Sequence, residues 1–264
     1  VLVRAENNLE LPAFPAILPL LPKDENHRSQ ADRHPQDGGE IPENPLESAI
    51  DFVIGNAGAT GEEPFERRRK IAHLQLKALI DWARIHSFFL DQQLWSGIAK
   101  IGGSEHDIWE NEDRMWKATR PNRFGWTVLP GDDGVPVLSE ATPLEYLSRW
   151  LDSNRLLGDT VCLGGIHSSD EGTRVIVSQR FLIGRYPTAL QIRKELHKFG
   201  FWPVHGFSIG SYPDSSFFNP DLNIALFDAT TDNFIFSKGT PIPVDVIPIT
   251  VGPKLRNQLL NLMA

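Results

Sequence analysis

The sequence predicts an α+β fold, on three observations. "EEPFERRRKIAHLQLKALIDWARIHSFF" repeats its apolar residues near the helical period of about 3.6. "HDIWEN" and "RMWKAT" read as short strands joined by a tight polar turn. "NIALFDATTDNFIFSKGTPIPVDVI" then places apolar strands around acids and a Lys-Gly turn. At 264 residues and 41% hydrophobic the chain is long enough to bury a sizeable core in one or two domains.

Three regions follow from the order of these patterns. Residues 1–48 include "LLPKDENHRSQADRHPQDGGEIPENP", polar and without apolar periodicity, so a flexible tail is expected. Residues 49–97 form a helical extension, with Ile71, Leu74, Leu76, Leu79, Ile80 and Ala83 as its apolar stripe and Pro64 in the first turn. Its run Arg67, Arg68, Arg69, Lys70 reads as a solvated face. Residues 98–264 form the main domain. "GIAKIGG", "HDIWEN" and "RMWKAT" open it as three strands. "TPLEYLSRWLDSN" follows as a helix, with Thr142 as N-cap, Pro143 in the first position and Glu145 completing a capping box. "TRVIVSQRFLIG" is a strand, "TALQIRKELHKFG" a helix stopped by Gly200, and "PKLRNQLLNLM" a closing amphipathic helix.

Charge and composition narrow the class. With 34 acids against 26 bases the net charge is -8, which argues against a nucleic-acid partner. The single cysteine, Cys162, leaves no internal disulfide and reads as a buried strand residue in a reducing, cytoplasmic setting. No apolar run has the length of a membrane span.

The chemistry gathers at the strand ends of the last third. Asp228 and Asn233 are five residues apart, but so are Asp51 and Asn56, and Asp214 and Asn219, so spacing alone carries nothing. Only Asp228 ends an apolar strand, and only Asn233 opens a hairpin whose far strand delivers another acid, Asp245. An Asp so placed can orient and deprotonate an acceptor hydroxyl, while an Asn and a second Asp hold Mg²⁺ against nucleotide phosphates. The cation for those phosphates is Lys117 in "RMWKAT", preceded by a turn at Gly102 and Gly103 whose amides can fold over phosphates. Glycine turn, strand lysine, helix, apolar strand, Asp-x4-Asn, hairpin and Asp reproduce in order the protein-kinase succession. Glu145, with Glu140 as a fallback, is the expected acid to hold Lys117. Gln179 and Phe181 lie where a linker would grip adenine.

"GGSEHDIWENEDRMWKAT", "TPLEYLSRWLDSNRLLGD", "IVSQRFLIG" and "LFDATTDNFIF…PIPVDVI" together resemble the polyvalent protein kinases, a bacterial and phage group related to protein kinases. The resemblance covers roughly residues 70 to 252. It implies a compact two-lobed protein-kinase-like fold with a reduced C-terminal lobe, preceded by a helical segment, and it implies ATP and Mg²⁺. By position, Lys117 binds phosphates, Asp228 is the catalytic acid-base, and Asn233 and Asp245 bind metal. The implied function is phosphotransfer to a hydroxyl of a protein substrate. A nucleotide-binding pseudokinase, or a small-molecule kinase or AMP transferase on the same fold, are the alternatives. The sequence departs from the kinase pattern: no His-Arg precedes Asp228, and Val246-Ile247 follows Asp245 in place of Phe-Gly. "GFSIG" is no nucleophile elbow, because the proline-containing "SYPDSSFFNP" after it cannot start the required helix.

Overall fold

In a computed structural model the described residues are 41–90, 101–102, 104–111, 113–209 and 213–263. They contain two α-helices, α1 (Pro45–Ala57) and α2 (Phe65–Ile85), followed by strands β1 (Ile101–Gly102), β2 (His106–Asn111) and β3 (Arg114–Thr119). A ribbon of β4 (Trp126–Pro130) and β5 (Pro136–Glu140) leads to helix α3 (Pro143–Leu157) and the strands β6 (Cys162–Ser169) and β7 (Gly172–Arg180). The remainder is α4 (Ala189–Lys198), β8 (Trp202–Pro203), β9 (Phe217–Asn219), β10 (Ile224–Phe227), β11 (Phe234–Ser237), β12 (Thr240–Pro243), β13 (Ile247–Thr250) and α5 (Pro253–Met263). The α+β class therefore holds.

The first half is an antiparallel sheet of five strands in the order β1-β2-β3-β7-β6. Helices α1, α2 and α3 share one core with it, built around Val53, Leu79, Trp82, Leu147, Trp150, Ile166 and Val177. Trp82 and Trp150 are at most 1% exposed. Burying aromatic side chains of this size contributes more than any other single residue type. Helix α3 starts as its sequence dictates. The Thr142 hydroxyl accepts from the Glu145 amide, and the Glu145 carboxylate accepts from the Thr142 amide, with Pro143 at the first position.

The second half shows why "IALF" is apolar without alternation. Its sheet has the order β13-β10-β9-β8, and helices cover both faces. Ala225 and Phe227 pack with Leu255 and Leu259 of α5, while Ile224 and Leu226 pack with Ile192 and Leu196 of α4. Successive strand residues point to opposite faces, so a strand with two buried faces must be apolar throughout. Beside this sheet, β11 and β12 form a two-stranded ribbon, which accommodates Pro241 and Pro243.

Some expectations need correction. Residues 1–40 of the expected tail lie outside the described residues, but Pro45–Ala57 is helical, with the Asn44 side chain accepting from the Glu47 amide. Of the strand expected over 97–103, Ile101–Gly102 is a strand and the other residues lie outside the described residues. Cys162 begins a strand as read, but it is exposed. Arg68 is no solvated side chain. It is 3% exposed and makes a bidentate pair with Glu145, with both contacts at 2.8 Å. The helical segment also reaches the far half: the Glu62 carboxylate accepts from the backbone amides of Lys254 and Leu255 at 3.2 and 2.7 Å, capping α5.

Candidate active site

Lys117 reaches the site because β3 is pleated. Met115 and Lys117 point to one face of the sheet, and Trp116 and Ala118 to the other, where Trp116 stacks on Trp109. On the Lys117 face, Ile108 and Gln179 lie on the neighbouring strands. With Arg180, Phe181, Leu182, Ile235, Val244 and Asp245 these residues line a small cavity of about 50 Å³. Its walls are mostly apolar, and its charged lining residues are Lys117, Arg180 and Asp245.

The Lys117–Asp245 pair joins the two halves of the molecule. Lys117 Nζ is 3.3 Å from Asp245 Oδ1 and donates to the Val244 carbonyl at 3.0 Å. It also sits 4.8 Å from the centroid of the Trp150 ring, a cation–π distance. Burial alone would raise the Asp245 pKa. Lys117 and Arg149 more than offset that and hold the carboxyl below its usual range, so Asp245 is an anion at neutral pH.

The hairpin explains how Asn233 arrives beside Asp245. In the β11–β12 register Phe234 faces Pro243, and one step further the Val244 amide donates to the Asn233 carbonyl at 2.9 Å. Asn233 therefore lies directly across from the residue before Asp245. Its side-chain amide donates to both the carbonyl oxygen and Oδ2 of Asp228, each at 2.8 Å. Asp228 leaves β10 in the left-handed region, at φ 54°, a conformation that Asp tolerates better than most residues. Burial pushes the Asp228 carboxyl up to about 6, against the Asn233 hydrogen bond and with help from the negative charge of Asp245. A carboxylate at that value is poised to take a proton near neutral pH.

The structure thus pairs Lys117 with Asp245 and Asn233 with Asp228, and the Val244–Asn233 backbone bond links the two pairs. Lys117 and Asp245 line the cavity, whereas Asp228 and Asn233 are not among its lining residues and stand beyond Val244. Gln179 and Phe181 line the cavity as expected. The Gln179 amide, however, donates to Asp159 at 2.6 Å, and the Phe181 N–H donates to the Asp113 carbonyl at 2.9 Å. Gly102 pairs with Asp107 in the β1–β2 ladder, and Gly103 lies outside the described residues.

Glu145 does not partner Lys117. Its carboxylate is consumed by Arg68 and by the Thr142 amide. The fallback, Glu140, is exposed on β5. What α3 sends into the site is Arg149, 4% exposed, one turn after Glu145. Its Nη2 donates to Asp245 Oδ1 at 2.9 Å, and its Nη1 donates to Glu105 Oε2 at 2.9 Å. A signal for Arg149 was present in the sequence: Tyr146, Arg149, Trp150 and Ser153 recur at helical spacing, and all are buried. A charge in such a stripe must find partners.

Glu105 and His106 also escaped the sequence reading. The Glu105 carboxylate turns inward, accepting from the Trp126 amide at 3.1 Å as well as from Arg149. Burial holds the His106 pKa down to about 3, so its ring is neutral at neutral pH, and Nε2 lies 3.0 Å from the Tyr146 hydroxyl. One ligand atom each from Glu105, His106 and Asp245 lie within 4.8 Å of one another. Both acids of this group are already paired with Arg149, which opposes an ion among them.

No family model, no curated protein and no solved structure matches this chain. Among the described residues no helix is long and apolar enough to cross a membrane.

Proposed function

We propose that this protein is a kinase-like phosphotransferase that uses ATP and Mg²⁺ and acts on a hydroxyl of a protein substrate. The observation that carries this reading is the Lys117–Asp245 pair lining a mostly apolar cavity, with Asn233 and Asp228 reached through a single backbone hydrogen bond. The apolar walls of the cavity suit a purine ring, and its volume of about 50 Å³ is below the roughly 300–1,000 Å³ of small-molecule sites, so a nucleotide would enter only as it opens. The sheet order and the helix between β3 and β6 support a kinase-like first lobe.

Mg²⁺ prefers oxygen ligands and keeps several waters, and with Lys117 and Arg149 beside Asp245 it would enter only together with the nucleotide, whose phosphates offset those cations. Lys117 and Arg149 both contact Oδ1 of Asp245. Asn233 donates through its nitrogen, leaving its amide oxygen to accept a ligand. Asn233 and Asp245 would thus hold the ion, whose role is to neutralise phosphate charge. In the transfer, the acceptor oxygen forms a bond to the γ-phosphorus and the bond to the bridging oxygen breaks, releasing ADP. The acceptor proton passes to the Asp228 carboxylate. Lys117 binds phosphate oxygens, and the catalysis rests on positioning and charge neutralisation.

The test is incubation of the full chain with Mg²⁺ and ATP labelled separately on the γ-phosphate and on adenine. Transfer of the γ label alone, lost in Asp245→Ala, is the expected result. Transfer of the adenine label makes the protein an AMP transferase. Nucleotide binding with no transfer to protein or to a panel of small alcohols favours the non-catalytic module. Failure to bind ATP under any condition removes the reading.

A further inference from the structure

The geometry points to a second binding site, a wide cleft between α3 and β13 that takes a small apolar primary amine, its ammonium held by Asp152 and Ser148. This inference stands apart from the nucleotide reading, and neither depends on the other.

The cleft has a volume of about 630 Å³, more than ten times that of the cavity at Lys117. That is within the roughly 300–1,000 Å³ of small-molecule sites. One side is formed by α1, residues 59–62 and α3, and the other by β4, β13 and the start of α5. Both sides are fastened in place. Glu145 and Glu62 line the cleft, and they are the carboxylates that hold Arg68 and cap α5. Walls held in this way lose little freedom when a ligand enters. Much of the lining is apolar, including Ile54, Val128, Leu151, Ile247 and Ile249, and Ile54 is 44% exposed.

The charges decide what the cleft accepts. Five charged residues line it: Glu62, Glu145, Arg149, Asp152 and Arg155. Four of them are committed. The two glutamates are engaged as above, Arg149 donates to Asp245, Val246 and Glu105, and Arg155 pairs with Glu47. Asp152 is left over. Among the described residues it has no hydrogen bond and no ion-pair contact. Burial pushes its carboxyl up to about 6, and the Arg155 charge three residues on offsets only part of that. A carboxylate held among apolar walls without a partner carries an unmatched desolvation cost. Ser148 stands one turn before it on the same face of α3, lines the same cleft, and has no hydrogen bond among the described residues.

An ammonium has three donors and no acceptor, which matches a carboxylate and a hydroxyl oxygen side by side. A neutral apolar ligand would leave Asp152 unpaired, and an anion would meet a like charge where both arginines are already engaged. A metal ion would find a single uncommitted carboxylate, too few oxygen ligands for Mg²⁺ or Ca²⁺. The apolar walls then take the body of the amine. A lysine side chain of another protein carries the same ammonium, and the experiment separates the two.

The test is isothermal titration of the full chain with 4-phenylbutylamine and with 4-phenylbutanol, which has the same shape without the charge. Wild type is expected to bind the amine at least about tenfold more tightly than the alcohol. Asp152→Asn, nearly isosteric, should erase that preference and leave the alcohol within about twofold of wild type. Ser148→Ala should weaken the amine by roughly threefold. Ile54→Arg, at an exposed position on the α1 wall, puts a cation into the cleft and should weaken the amine several-fold. If Asp152→Asn does not fold, the other two variants carry the comparison. Equal affinity for amine and alcohol in wild type overturns the proposal, as does an amine preference that survives in Asp152→Asn. No binding of the amine at millimolar concentration overturns it as well. The last arm is the peptide N-acetyl-Leu-Lys-Leu-amide: if it binds in preference to the amine with the same Asp152 dependence, the occupant is a protein lysine and the small-amine proposal falls.

Discussion

Replacing Asp245 by Asn removes one negative charge from between two buried cations, Lys117 at 5% and Arg149 at 4% exposure. The carboxylate oxygen lies 3.3 Å from Lys117 and 2.9 Å from Arg149. At an effective dielectric of about 20 those contacts are each worth about 5–6 kcal/mol gross. The desolvation of the carboxylate offsets several kcal/mol of that, and an Asn oxygen still accepts hydrogen bonds, so a net loss of about 3–5 kcal/mol is expected. For a chain of this size that corresponds to a fall in Tm of roughly 10 °C. The assay is thermal and urea unfolding of wild type and Asp245→Asn at pH 7, at low and high salt. Because the pair is buried, about 1 M salt should leave most of the difference intact. The double variant Asp245→Asn with Lys117→Met should lose less than the sum of the single changes, with a coupling of about 1–3 kcal/mol. A loss under about 1 kcal/mol that vanishes in salt would show the pair behaving as an exposed one, and the reasoning would fail.

Arg68→Ala leaves Glu145 without its bidentate partner and is expected to cost about 2–4 kcal/mol in urea unfolding, although it is remote from the cavity. Asp228 must be ionised to accept a proton, and its carboxyl lies near 6, so kcat/KM should rise about tenfold per pH unit below that value and level off above it. Asp228→Asn should abolish the rise, which steady-state phosphotransfer assays across pH would show. Asp159 is also raised to about 6 by burial, so its neutral form is favoured in the folded state. The stability it contributes is full below about 4 and is lost as pH rises through about 6. Asp159→Asn should therefore become more stable relative to wild type between pH 4 and 7, by at most about 3 kcal/mol in parallel urea titrations.

Local rules made much of the first half legible. "HDIWEN" and "RMWKAT" are β2 and β3 to the residue, and the capping box at Thr142 and Glu145 forms as written. The β4–β5 ribbon was harder to see: its Gly-Asp-Asp-Gly turn is a hairpin signal, but prolines stand at both ends of the ladder, where Pro130 faces Pro136. β6 was obscured by its own Gly164 and Gly165, where the register shifts. In the site, the hairpin behind Asp228 brought Asn233 beside Asp245 because register is a local property. Partner choice across the fold is not. Arg149 finds Asp245 across 96 residues and Glu145 finds Arg68 across 77, and no periodicity encodes either pair. The capping box told where α3 starts, and that same geometry removed Glu145 from the candidates.

Glu62 and Arg68 are separated by less than two helical turns of sequence, yet one holds the start of α5 and the other the start of α3. The short stretch between them is a strap buckled to both halves of the molecule. Rotating one half against the other would have to unfasten a buried bidentate pair or strip the cap from α5. The molecule is therefore braced between its two halves, like a book whose spine has been stitched.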